Sequence, residues 1–243
     1  MSRYTVNLSY GMEKKRTTTQ RHPLGMRGVT PDGRVFRYSL IDGAVTAGKL
    51  LQTKVPVADD DMDIAVAAAA AIGAKSISIT TVSAILVNEY KDGYLYVNDL
   101  AGEGQSFRLG AHLAAGASAT LVLNLAEDEE VITALTTTSL VGLKWNHYKD
   151  VIVFPITVTG LPVGWTPCDI ADNEYFWVQT WGDLAGLIDG TVVLGNTVIP
   201  DTTTAGAVKA NPTAGGDEPV VAIVANPIAV TTDYGHLFAM ISP

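Results

Sequence analysis

The sequence predicts an all-β protein, and three observations support this. Short runs of alternating apolar and polar residues recur after residue 33, and Gly, Asp, Asn or Pro separates them, which is the usual punctuation of strands. Threonine is abundant, and β-branched residues favour pleated strands. Hydrophobic residues make up 47% and charged residues 17% of the 243 positions, so the chain is not of the disordered, highly charged class. We expect two β-barrel or sandwich-like modules, an extended N-terminal arm and at most one or two short helices.

The predicted strands share period-two alternation or a short apolar stretch that follows a turn signal. The clearest is 75–82, in which Ile77 and Ile79 face one side of the strand. Spacings of roughly 10–20 residues between strands fit sandwich or barrel modules better than βαβ units. In chain order, strands are predicted at 34–40, 75–82, 94–97, 105–109, 119–125, 151–154, 176–181, 191–194, 220–224 and 236–241.

Two segments are helix candidates. Residues 63–71 are rich in alanine, and Asp61 or Asp63 could serve as the N-cap. Residues 127–134 begin with acids, which are favourable in a first helical turn. With these elements, the predicted organisation is a basic arm at 1–54, a first β module at 55–140, a connector at 141–164 and a C-terminal β-barrel-like module at 165–243.

Charge is distributed unevenly along the chain. Residues 1–54 carry ten basic and three acidic side chains, whereas the remainder carries 6 basic and 22 acidic ones. This asymmetry favours an arm that docks on an acidic protein or a neighbouring subunit, although a solvated terminus is the alternative. The overall net charge of −9 argues against nucleic acid as a partner. The candidate docking residues are Arg3, Lys14, Lys15, Arg16, Arg21 and Arg27.

No motif for catalysis or for a cofactor is found. There is no G-x-S-x-G sequence, and one cysteine, Cys168, excludes an internal disulfide and a cysteine-based zinc site. The four histidines lack ligand spacing, and the acidic run 59–63, a weak calcium candidate, is more typical of a solvated loop. The longest apolar run, 64–74, is about half of a membrane span. We therefore expect a soluble non-enzyme without cofactor, metal or membrane partner, made in a reducing cytoplasm.

The aromatic segment 175–181 is the densest in the chain. On a strand, Tyr175 and Trp177 share one side, and one face of this strand is expected to be core. Tyr and Trp are enriched in buried interface patches, so Tyr175, Trp177 and Trp181 are candidates for internal packing or a subunit interface. A sugar-stacking face is the alternative.

The order of motifs from residue 73 onward resembles a family of tailed-bacteriophage virion structural proteins. The resemblance covers roughly 170 residues, and the last 70 or so are most like capsid decoration (cement) proteins. Its sharpest string is YFWVQTWG at 175–182, and the basic arm lies outside it. Further strings are GAKSISIT at 73–80, NEYKDGYLYVND at 88–99, GEGQSFRL at 102–109, ALTTTS at 134–139 and DGTVVLGN at 189–196.

This resemblance implies a structural role on a phage particle and no catalysis. The expected function is a decoration protein that binds the major capsid protein lattice and stabilises it, with self-association into a homo-oligomer such as a trimer. The expected location is the capsid surface, after assembly in the cytoplasm of the host bacterium. A tail, neck or fibre component and a carbohydrate-binding β module are the alternatives.

Overall fold

A computed structural model describes residues 5–212, 218–228 and 230–243. It confirms the all-β prediction, because the described chain contains 17 strands and a single turn of 3-10 helix at Met12–Lys14. The described part of the chain has no helix of the length and apolar character that crossing a membrane requires. The strands are β1 Thr5–Asn7, β2 Arg27–Val29, β3 Val35–Leu40, β4 Leu50–Gln52, β5 Ile64–Ala68, β6 Ser76–Thr80, β7 Tyr94–Asp99, β8 Ser106–His112, β9 Thr120–Leu125, β10 Leu140–Lys144, β11 Ile152–Val153, β12 Pro162–Trp165, β13 Tyr175–Ile188, β14 Thr197–Pro200, β15 Val208–Ala210, β16 Ala222–Asn226 and β17 Asp233–Met240.

The chain divides into two compact units. The barrel unit is Val55–Asn146, and the discontinuous unit combines Met1–Lys54 with His147–Pro243. In the barrel unit the strands close in the order β10-β5-β6-β9-β8-β7 with antiparallel neighbours. Alternation along β9 places Leu121, Leu123 and Leu125 in the core and the residues between them on the outside. Burial of every second residue thus explains why this segment forms a barrel strand.

The discontinuous unit is organised around the 14-residue strand β13. Its first half pairs with β3 and its second half with β17, and the partner changes at an irregularity between Gln179 and Trp181. Gly182, which follows, has a φ of +91°, a conformation that glycine adopts at little cost. Pairings from β13 through β15, β14, β16 and β17 back to β13 form a closed ring around a second core. This core includes Ile188, Val198 and Leu237.

One local structure occurs three times in the two units. In each case two segments outside the strands cross at an isolated antiparallel bridge, where both residues donate their N–H to the other's carbonyl at 2.8–3.0 Å. A further hydrogen bond accompanies each bridge. Its N–H donor lies four positions before one bridge residue, and its carbonyl acceptor lies four positions after the other bridge residue. The bridges are Val45–Ile170, Ala70–Leu135 and Ile85–Ala115, and the additional donors are Thr166, Val66 and Thr81, respectively.

Several predicted elements are wrong. Residues 63–71 contain β5 instead of a helix, because Ile64 and Val66 both enter the barrel core at strand spacing, which outweighs the helix propensity of the alanines. Residues 127–134 form turns without a helix. The strand predicted at 191–194 lies at Thr197–Pro200 instead, since Val193 and Leu194 sit in an exposed turn.

The predicted domain organisation is also corrected. Residues 5–54 do not form a separate extended arm, since they contribute β1 to β4 to the discontinuous unit. Leu8 is buried there against Phe36, Tyr38 and Trp177, so apolar burial orders this segment against its own chain. Residues 141–164 are not a connector, because β10 closes the barrel while β11 and β12 pair with β4. The segment 165–243 is therefore only part of a unit.

Candidate functional site

The acidic run 59–63 is used for internal hydrogen bonds. Asp60 is buried in the barrel unit, where its carboxylate accepts the Tyr90 hydroxyl at 2.8 Å and the Ser83 hydroxyl at 3.2 Å. Asp63 accepts the amide of Asn98 at 2.6 Å. Within the described ranges, no group of three or more His, Cys, Asp or Glu side chains is arranged to hold a metal ion. These contacts give the run a structural role in the barrel.

The nucleophile and base candidates also make structural contacts. The Cys168 thiol donates to the backbone carbonyl of Lys14 at 3.4 Å, and burial raises its pKa, which favours the unreactive thiol. His112 is buried, and its Nε2 accepts the backbone N–H of Tyr90 at 3.0 Å. Its Nδ1 lies 2.9 Å from the carbonyl of Leu113, which assigns the proton to Nδ1. This histidine therefore stabilises the loop around Tyr90.

One half-buried carboxylate, that of Asp189, has a strongly perturbed environment. Four threonine hydroxyls bond to Asp189, from Thr232 at 2.6 Å, Thr204 at 2.8 Å, Thr203 at 3.0 Å and Thr231 at 3.3 Å. These hydrogen bonds, led by that from Thr232, lower the pKa of Asp189. Because the threonines come from two separate loops, the carboxylate holds those loops together.

The predicted docking residues lie on the surface of the discontinuous unit, except that Arg3 falls outside the described residues. Lys14, Lys15, Arg16 and Arg21 are exposed. Arg16 forms an ion pair of 3.3 Å with Glu174 of the same chain. Arg27 is half-buried in β2, in register with Arg37 of β3. The basic side chains are thus held by a folded surface rather than by a free arm.

Folding redistributes the charge asymmetry that the sequence showed. The discontinuous unit carries 12 basic and 13 acidic residues, because the acids of its second segment balance the basic residues of 1–54. The barrel unit carries 4 basic and 12 acidic residues. The acidic excess of the chain therefore lies almost entirely in the barrel unit.

The three predicted aromatic residues lie in different environments. Trp177 is buried, with ring centroids of Tyr38 at 5.1 Å and His22 at 5.3 Å. Tyr175 is half-exposed and stacks on Tyr38 at 5.9 Å, and Trp181 packs edge-to-face on Phe238 at 5.5 Å. Packing is thus observed for all three, and Trp177 has no surface left for a subunit or a sugar.

Sequence reasoning missed a group of exposed apolar side chains on the barrel unit. Val87, Leu113 and Val122 line one surface cleft of about 460 Å³. Leu86 lies at the same end of the barrel, since Ile85 bridges Ala115 and the Asn88 N–H bonds to the His112 carbonyl. The most exposed members of this barrel apolar surface are Leu113 (77%), Leu86 (69%) and Val87 (60%), whereas Ile72 (70%) and Ile132 (64%) are exposed at the opposite end of the barrel.

A second feature missed by sequence reasoning is a cavity of about 510 Å³ in the discontinuous unit. Its walls come from the turn 46–48, the segment 165–169 and strand β13. Trp165 lines it and is only 1% exposed, and its indole Nε1 has no hydrogen-bond partner in the described chain. Lys14 and Arg34 are its cationic lining residues.

Comparison with known proteins returned no relative. No protein-family model matches the chain, and neither a curated protein nor a solved structure is significantly similar to it.

Proposed function

We propose that this chain is a non-enzymatic structural protein of a tailed-phage particle, and specifically a decoration protein that binds the major capsid protein lattice. The observation that carries the proposal is the barrel apolar surface, because large apolar side chains that are 60–77% exposed on a folded unit are typical of protein interaction sites. The phage assignment itself rests on the sequence resemblance described above.

The charge of the barrel unit favours a partner with a basic face. With 12 acidic and 4 basic residues, this unit attracts positive surfaces over distances of about a Debye length, which speeds encounter and orients the partner. Burial of the exposed leucine and valine side chains then supplies affinity. The proposed contact therefore combines the acidic charge of the unit with apolar anchors such as Leu113 and Val87.

The basic side chains of the discontinuous unit offer a second contact of opposite sign. Lys14, Lys15 and Arg21 are exposed on one short segment of that unit. They suit an acidic patch of the lattice or of a second copy of this chain, in line with the expected homo-oligomer. Arg16 contributes less, because Glu174 already neutralises it.

A tail, neck or fibre component is the alternative within the same class, and copy number separates the two. Quantitative mass spectrometry of purified particles should find this chain in a simple ratio to the most abundant virion protein. A few tens of copies would instead assign it to the tail or neck, and its absence would overturn the virion proposal. A sugar site built on the predicted aromatic cluster is disfavoured because Trp177 is buried.

The docking surface is tested with capsids depleted of this chain. Leu113→Asp should lower binding at least about tenfold, because it places a charge in an apolar contact. Val193→Asp is the matched control, since Val193 is 62% exposed but lies in the discontinuous unit. Circular dichroism of both variants verifies folding. Binding of the Leu113 variant at the wild-type level would overturn the assignment of this surface.

A further inference from the structure

We propose that copies of this protein associate head to tail, so that one end of the barrel unit of one copy contacts a basic segment of the discontinuous unit of the next copy. The inference rests on the self-association in the proposed function, and it names the two surfaces that carry it. Because these surfaces differ from one another, the contact is heterologous and builds a ring or an open chain of copies. Neither surface belongs to the barrel apolar surface around Leu113.

The first surface is the end of the barrel at which the β5–β6, β7–β8 and β9–β10 loops meet. The Gly73 N–H donates to the Val131 carbonyl at 2.8 Å, which joins the β5–β6 loop to the β9–β10 loop. The side-chain oxygen of Gln105 accepts the Ile132 N–H at 3.0 Å, which joins the β7–β8 loop to the same segment. The side chains of the three loops therefore form one surface.

Acidic and apolar side chains share this surface. Six acids lie in or directly next to the three loops, and the one lysine among them, Lys75, is paired with Glu130 at 3.0 Å. Three large aliphatic side chains are exposed in the same loops. This acidic end comprises Asp99, Glu103, the four acids of 127–130, Ile72, Leu100 and Ile132. A partner that fits it combines positive charge with an exposed apolar side chain.

The second surface is the segment 10–21 of the discontinuous unit. Tyr10 is exposed there, together with the cationic side chains of Lys14, Lys15 and Arg21. None of these three cations has a carboxylate within 4.0 Å among the residues that the structure describes. The segment thus offers both the charge and the apolar group that the acidic end requires.

The acids near this segment leave it basic. Glu13, the only acid of the segment, is buried. Asp169 lines a cavity together with Lys14, so it offsets the charge of that lysine. Lys15 and Arg21 therefore supply most of the attraction for a negatively charged surface.

The acidic end and the segment 10–21 complement one another in charge and in apolar character. Contact between them brings opposite charges together around the ring of Tyr10 and the exposed aliphatic side chains. Two acidic ends would instead repel one another, which disfavours a symmetric contact through the barrel. A second copy of this chain, turned so that its segment 10–21 meets the acidic end, is therefore the partner that fits.

Sedimentation velocity of the purified full-length chain, in the absence of capsids, measures this association. At about 100 μM protein and about 0.1 M NaCl, where the Debye length is about 10 Å, we expect species heavier than the monomer. Asp128→Lys and Lys15→Glu should each weaken association at least about fivefold, because each places like charges on the two sides of the contact. Asp59→Lys is the matched control for Asp128→Lys. It makes the same change of net charge at an exposed position next to Asp60, which bonds to Tyr90 away from the acidic end, and it should associate like the wild type.

Mixing the two weakened variants tests the head-to-tail arrangement. The Lys15→Glu chain keeps an intact acidic end and the Asp128→Lys chain keeps an intact basic segment, so an equimolar mixture should form a species of twice the monomer mass. Circular dichroism of each variant verifies folding. A wild type that stays monomeric, an Asp128→Lys chain that associates like Asp59→Lys, or a mixture no heavier than its components would each overturn the proposal. Capsid binding through Leu113 is measured separately, so these outcomes leave the proposed lattice contact untouched.

Discussion

Thr81 of the barrel unit and Thr166 of the discontinuous unit make the same set of contacts. Each hydroxyl donates to the carbonyl of the residue that directly follows a bridge residue. The same hydroxyl accepts the N–H of the residue that lies four positions after that bridge residue. The distances are 2.6 Å to Gly116 and 3.0 Å from Ala119 for Thr81, and 2.8 Å to Thr46 and 3.1 Å from Lys49 for Thr166. The two units therefore share a threonine-stabilised crossing of segments, although the number of residues between the two crossing segments differs between the units.

Replacing either threonine by valine should destabilise the unit that contains it. Thr81 and Thr166 are each 2% exposed, so Thr81→Val and Thr166→Val leave the N–H of half-buried Ala119 or Lys49 without its acceptor, at a cost of about 1–3 kcal/mol. Denaturant unfolding measures the change. Thr137→Val, at an exposed position, is the control and should change stability by less than about 0.5 kcal/mol. Equal effects at all three positions would contradict the role of the crossing.

The N-terminal segment should be needed for folding of the discontinuous unit. Leu8 is 1% exposed and packs against Trp177, so Leu8→Ala should cost about 2–5 kcal/mol. Deleting residues 1–30 should abolish the near-ultraviolet signal of that unit's aromatic residues. Met12→Ala, at a position 42% exposed, is the control and should be close to neutral. A truncated chain with native spectra would show that β1 and β2 are dispensable.

Asp189 should make stability depend on pH in the acid range. Its pKa is lowered in the folded state by threonine hydroxyls, so its contribution is complete above the ordinary value of 3.8 and is lost as pH falls towards the lowered value. The stability difference between wild type and Asp189→Asn should therefore shrink below pH 3.8. Asp233→Asn is the control. A difference that is constant with pH would contradict the role of ionised Asp189.

The Tyr90–Asp60 pair should stabilise the barrel unit. Tyr90→Phe removes a donor from a carboxylate that is 3% exposed, and should cost about 1.5–3 kcal/mol. Tyr94→Phe, at a residue 45% exposed, should be nearly neutral. Burial, and then the hydrogen bond to Asp60, raise the Tyr90 pKa above its ordinary value of 10.0. Wild-type stability should therefore fall as pH rises above 10.0, and fall less in Tyr90→Phe.

Strict alternation was the part of the fold that the sequence predicted well. Ile77 and Ile79 enter the barrel core as expected, because period two fixes which side chains share a face. The alanine-rich strand β5 was missed, since local propensity carries no information about the neighbours β6 and β10. The discontinuous unit was also missed, because pairing between β3 and β13 joins residues more than 130 positions apart.

The candidate sites were less accessible from the sequence. Leu113 reads as an ordinary apolar residue, and only the barrel geometry shows that it is exposed. The sequence left internal packing and a subunit interface open for Trp177, and the structure shows that β2 covers it. A Cβ at Gly28 would lie 2.8 Å from the Trp177 ring, so the glycine allows this close approach. The one available signal was that glycine, which lies between Arg27 and Val29.

The insertion of Val55–Asn146 into the discontinuous unit has a consequence for synthesis on the ribosome. Leu8 emerges 169 residues before its partner Trp177, a delay on the order of ten to thirty seconds at about 5–20 residues per second. The barrel unit is contiguous and can fold within that interval. Throughout it, the leading 54 residues have no complete sheet to join, so the nascent chain depends on chaperones, or on the segment's charge, to remain unaggregated.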